Sequence, residues 1–125
     1  MKYVDANIIL RYVLWDIESL SKKAQKIIES ENIIIPIEVI AEVVYVLEGV
    51  YTIHRAEIKD AIMYLTEYEN IEISTDILKQ AFSIFVDKKI DFVDAVLYGY
   101  SKIQNAVVFT FDKKLENLIK TYGSN

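Results

Sequence analysis

Short unbroken apolar runs alternate along this chain with longer stretches in which apolar residues recur every three or four positions. The first kind predicts strands. Residues 2–5 (KYVD), 32–35 (NIII), 71–74 (IEIS) and 107–111 (VVFTF) belong to it. VVFTF is the clearest, being β-branched and aromatic almost throughout, and NIII has the composition of a strand covered on both faces. The second kind predicts helices over residues 6–14, 21–31, 37–47, 54–68, 75–88, 91–104 and 112–122. In SKKAQKIIESE the apolar face is Ala24, Ile27 and Ile28, with Lys and Glu opposite. IEVIAEVVYVL is apolar nearly all round, which predicts a central helix, with Pro36 in its first turn and Gly49 as its stop. Residues 15–20 read as a turn, and Thr75 as a helix N-cap.

Strands that alternate with helices imply right-handed crossovers and a parallel sheet with helices on both faces, an α/β fold. In such folds ligands bind beyond the carboxyl ends of the strands. The 125 residues are expected to form a single domain, 1–125. A chain of this size buries roughly two-thirds of the surface it exposes when unfolded.

Composition narrows the chemistry. The absence of cysteine removes disulfides, thiolate nucleophiles and zinc sites built on sulfur. No apolar run approaches the roughly 20 residues of a membrane span, and MKYVDANIIL meets Asp5 too early for a signal peptide. A cytoplasmic protein that contacts no membrane is the expectation. The net charge of −5 works against diffuse binding of nucleic acid. A polyanionic substrate would need a local remedy, such as a bound cation.

Carboxylates are placed to supply that remedy. KYVD ends in Asp5 and VVFTF is followed by Asp112, so parallel strands would project both from one sheet edge. Asp94 falls in the first turn of the helix leading to the last strand. Glu42 interrupts the most apolar helix, where a buried acid is costly without a partner, and Glu38 shares its sector. Gathered carboxylates repel one another unless a cation neutralises them, and Mg²⁺ or Mn²⁺ is the hard, oxygen-seeking choice. His54, the single histidine, suits a surface or cap position. Each acid taken alone has a rival account. Asp91 is a good N-cap with Asp94 three residues on, Asp112 is an equally good N-cap, and all suit a helix dipole. Asp5 alone has no evident structural purpose, and Glu38 reads as solvated.

DANIILRYV, PIEVIAEVVYVL, DFVDAVL and VFTFDKKL occur in the order and spacing of PIN-domain ribonucleases, and the chain most resembles the VapC-type toxins of toxin–antitoxin pairs. Each motif alone is weakly specific; their order is what distinguishes them. The resemblance implies a three-layer α/β/α sandwich with a central parallel sheet. It assigns Asp5, Glu42, Asp94 and Asp112 as the metal-binding, catalytic carboxylates, with Asn7 and Thr110 as supporting polar positions. Asp91 has no obligatory counterpart, which agrees with its reading as the helix cap.

The activity so implied is Mg²⁺- or Mn²⁺-dependent hydrolysis of RNA phosphodiester bonds by an endoribonuclease. A homodimer and a small antitoxin protein are the implied partners, for which the many tyrosines would suit interfaces. Arg11, Lys113 and Lys114 lie near the motif acids and are candidates to flank an RNA groove. The rivals are a catalytically silent PIN-like interaction domain and a housekeeping RNA-processing nuclease. A receiver domain would need a phospho-accepting Asp that NIIIPI lacks. A haloacid-dehalogenase-like phosphatase would need Asp where Asn7 stands, and three glycines leave no phosphate loop.

Overall fold

Asp5 starts the first helix. Its backbone is extended (φ −91°, ψ 174°), and its side chain accepts the Ile8 N–H, which would otherwise be an unpaired helix-start donor. The computed structural model describes residues 1–122, which fall into two units, the first Met1–Ser74 and the second beginning at Thr75.

The first unit holds α1 (Ala6–Leu14), α2 (Glu18–Ser30), β1 (Ile33–Ile34), α3 (Ile37–Gly49), α4 (Arg55–Leu65) and β2 (Ile71–Glu72). Trp15 closes α1 in the left-handed region (φ 51°), its N–H returning to the Arg11 carbonyl. Helix α2 begins at Glu18, earlier than the pattern predicts, so Ser21 does not start it. Ser21 is buried inside the helix and donates its hydroxyl to the Arg11 carbonyl at 2.8 Å. Pro36 stands at the N-cap of α3, one position before the expected first turn, and Gly49 is the helix's last residue. β1 and β2 pair in parallel, Ile33 opposite Ile71 and Ile34 opposite Glu72. The Asn70 amide joins them to α2 by donating to the Ile28 and Glu31 carbonyls, each at 2.7 Å. The core of this unit includes Ile9, Ile28, Ile40, Leu47, Ile58, Ile62 and Leu65, all fully buried.

The second unit is helical: α5 (Thr75–Asp87), α6 (Phe92–Gln104) and α7 (Lys113–Tyr122). Phe82, Phe85 and Phe92 form an aromatic cluster with ring centroids 5.0, 5.4 and 5.9 Å apart. Offset and edge-on pairs at such distances stabilise by about 0.5–1.5 kcal/mol each beyond simple burial. Gly99 lets α6 lie close on α5, for a Cβ there would sit 2.9 Å from the Ile77 carbonyl oxygen. Tyr98 and Lys102 both donate to the Tyr122 carbonyl, at 3.5 and 2.8 Å, and so hold the end of α7 to α6.

Two strand expectations are corrected. KYVD contributes only an isolated parallel bridge, Tyr3 with Ile34. VVFTF forms no strand at all. The second unit has no strand among its described residues, so a run of high β propensity has no ladder partner there. Propensity measures fit to a pleated, half-buried surface and creates none by itself. Val107, Phe109 and Phe111 are consequently exposed, the two rings almost completely (95% and 102%). The observed sheet is therefore short and two-stranded within a mostly helical chain, where a larger central sheet was expected.

Candidate functional site

In the first unit Asp5 sits on the rim of a cleft of about 620 Å³ lined by Lys2, Tyr3, Ile8, Ile27 and Val39 among others. One Asp5 oxygen accepts the Ile8 N–H at 3.1 Å, and no basic side chain pairs with it among the described residues. The structure thus gives Asp5 the structural purpose that the sequence did not reveal: it is the N-cap of α1. Asn7 is exposed in the first turn of the same helix. Glu42 is exposed on α3, not buried, so the desolvation argument for it does not hold; Glu38 is exposed too. Neither has a hydrogen-bond or ion-pair partner among the described residues.

The second unit brings three acids together electrostatically. Asp112 caps α7, its Oδ1 accepting the Leu115 N–H at 2.9 Å and its carbonyl the Glu116 N–H at 3.0 Å. The Thr110 hydroxyl accepts the Asp112 N–H at 3.0 Å, which fixes the backbone at this cap. Asp91 occupies the N-cap position of α6 with extended backbone (φ −67°, ψ 150°), but its side chain makes no capping bond. The expected cap is present in position only. Asp94 is half-buried in the first turn of α6 and has no hydrogen-bond or ion-pair partner among the described residues. Burial raises its pKa above the ordinary carboxylate value of 3.8, and the charges of Asp112 and then Asp91 raise it further.

These donors suit a hard divalent cation in kind. They are carboxylate oxygens, they lack competing Lys or Arg partners, and at Asp94 their mutual repulsion is unrelieved. They are not closed around one point, for among the described residues no group of three or more His, Asp or Glu is poised to hold a metal ion.

Other expected residues serve the fold. Arg11 does not flank a groove: its side chain is 11% exposed and pairs with Asp16 at 3.0 Å. His54 is exposed at the N-cap position of α4, without a side-chain cap bond. The tyrosines differ widely, Tyr45 being 77% exposed and Tyr98 buried. Tyr12, which the sequence did not single out, anchors a chain of hydroxyls. Its oxygen lies 2.6 Å from that of Tyr68 and donates to Glu29 at 3.1 Å. Burial and these bonds push the Tyr12 phenol pKa well up. Nothing local signals a pair 56 positions apart. Lys89 was also missed; its backbone carbonyl accepts from the Lys114 ammonium, a link that likewise follows only from folding.

Residues 2–120 match the PIN domain family, and the chain belongs to it. Members are generally nucleases that use divalent metals, and the family fold is α/β. No curated protein and no solved structure matches the chain significantly. No helix among the described residues is long and apolar enough to cross a membrane.

Proposed function

We propose that this PIN-family chain is a divalent-metal-dependent endoribonuclease, with Asp5, Glu42, Asp94 and Asp112 as its carboxylates. The observation that carries the reading is Asp94: half-buried, without a donor among the described residues, and repelled by two neighbouring acids. A fold gains nothing locally from such a group, whereas a cation would relieve it. Asp112 keeps one oxygen uncommitted while its own helix holds the other, so it can accept a hydrogen bond from a water without moving. Asp5 is preset in the same way by Ile8. Thr110 positions Asp112 through the backbone. A bound Mg²⁺ or Mn²⁺ would supply Lewis-acid stabilisation of phosphate charge and a more acidic water.

The resemblance to VapC-type toxins extends the reading. On it, the chain acts in the cytoplasm as a homodimeric toxin restrained by a small antitoxin protein. Incubating the purified chain with RNA and Mn²⁺ tests the core of the proposal. Asp5→Asn, Asp94→Asn and Asp112→Asn should each abolish cleavage, and Asp91→Asn should retain most of it. Cleavage that survives in all three would refute the assignment. A chain that never cleaves and ignores Mn²⁺ would be a silent interaction module.

A further inference from the structure

Charge is divided unevenly along this chain. Residues 1–74 carry seven basic and thirteen acidic side chains, a net of −6, while residues 75–125 carry seven lysines against six acids, a net of +1. Three of those six acids are Asp91, Asp94 and Asp112. The lysines therefore exceed the remaining acids in the very unit that holds the candidate carboxylates.

Their placement is specific. Lys114 donates to the Lys89 carbonyl, which ties the loop before α6 to the first turn of α7. Lys89 is thereby held by the helix that Asp112 starts, and it lies two residues before Asp91 in the chain. Its ammonium has no partner among the described residues. Lys113, next to Asp112, is 84% exposed and reaches Glu116 only at 3.8 Å, the outer limit of an ion pair. Neither lysine neutralises the nearby acids, so both charges remain available to a ligand. Phe111, on the other side of Asp112, exposes its whole ring.

Ammonium groups and an open aromatic face flanking a carboxylate site match a single-stranded polynucleotide, whose phosphates bind lysine and whose bases stack on rings. We propose that Lys89 and Lys113 hold RNA phosphates and Phe111 stacks a base next to the scissile bond, making them positioning residues for single-stranded RNA. This rests on the nuclease reading for its placement at a cleavage site. It also explains how a chain of net charge −5 meets a polyanion: the contact is local to one unit.

The test is affinity for a fluorescent single-stranded RNA oligonucleotide, measured in EDTA over a range of salt with the full chain. Lys89→Gln and Lys113→Gln should each flatten the slope of log affinity against log salt by about 0.7, the value for one phosphate contact on a single strand. Phe111→Ala should weaken binding by about 5- to 100-fold, and Phe111→Tyr should restore it, because any aromatic face stacks. All three side chains are exposed, so melting temperatures should stay near that of the parent. Unchanged slopes and affinity in the lysine and alanine variants would overturn the proposal even if cleavage depends on Asp94. If these variants lose affinity but the parent never cleaves RNA, the RNA-contacting role stands and the nuclease reading falls.

Discussion

Asp5 in the first unit and Asp94 in the second carry the same proposed duty from opposite local circumstances. Asp5 is exposed and hydrogen-bonded by its own helix, so its charge stabilises α1. Asp94 is half-buried, accepts no hydrogen bond among the described residues, and lies in the field of Asp112 and Asp91. The first acid would be present in a stable fold whatever the chain does. The second costs stability, and that makes it the more informative of the two. A cap can hide a ligand, whereas an unrelieved acid exposes one.

The largest expected effect concerns the seat of α6, which carries Asp94. Gly99→Ala would place a Cβ 2.9 Å from the Ile77 backbone oxygen, which cannot move aside like a side-chain tip. We expect a loss of about 1–3 kcal/mol from overpacking. That outweighs the gain of roughly 0.8–1 kcal/mol from alanine's better helix propensity. Urea unfolding would show it, and a more stable variant would mean that α6 and α5 are not so closely seated.

Next come the caps. Asp5→Ala should cost about 1 kcal/mol and Asp5→Asn almost nothing, since Asn caps as well. Asp91→Ala should stay within about 0.5 kcal/mol, because no capping bond is lost. Equal losses at the two positions, measured by thermal unfolding, would erase the distinction between a working cap and an acid that merely occupies the cap position.

Asp94→Asn should act in the opposite direction, raising the melting temperature at pH 7 in metal-free buffer. The folded-state pKa of Asp94 lies above its unfolded value, so folding favours its protonated form. The penalty on the charged form is complete above the folded pKa, fades as pH falls through it, and is gone below about 3.8. The gap between parent and variant should therefore close on acidification. A gap that widens toward low pH would mean that Asp94 is stabilised as a carboxylate.

Much of the helical layout was legible because burial on one face imposes its period on the sequence. Residues 6–14 match α1, and the apolar runs for α3, α5, α6 and α7 fall within a few residues of the observed ends. The strands were less legible. Pairing is a relation between distant segments, so VVFTF has every local mark of a strand and still finds no ladder. Of the candidate site, the identity of the acids was visible in the motifs, but their condition was not. The capping bond of Asp5, its absence at Asp91 and the exposure of Glu42 depend on where neighbouring N–H groups and helix faces come to lie. Arg11 shows the same limit, since its partner Asp16 lies across the turn that ends α1.

Thermal unfolding of the parent and Asp94→Asn, each with and without Mn²⁺, tests the central claim most directly. If Asp94 waits for a cation, Mn²⁺ should stabilise the parent, by about 2.7 kcal/mol at a hundred times its dissociation constant. Asp94→Asn should gain little or nothing. No Mn²⁺ shift in the parent, or the same shift in both proteins, would contradict the account.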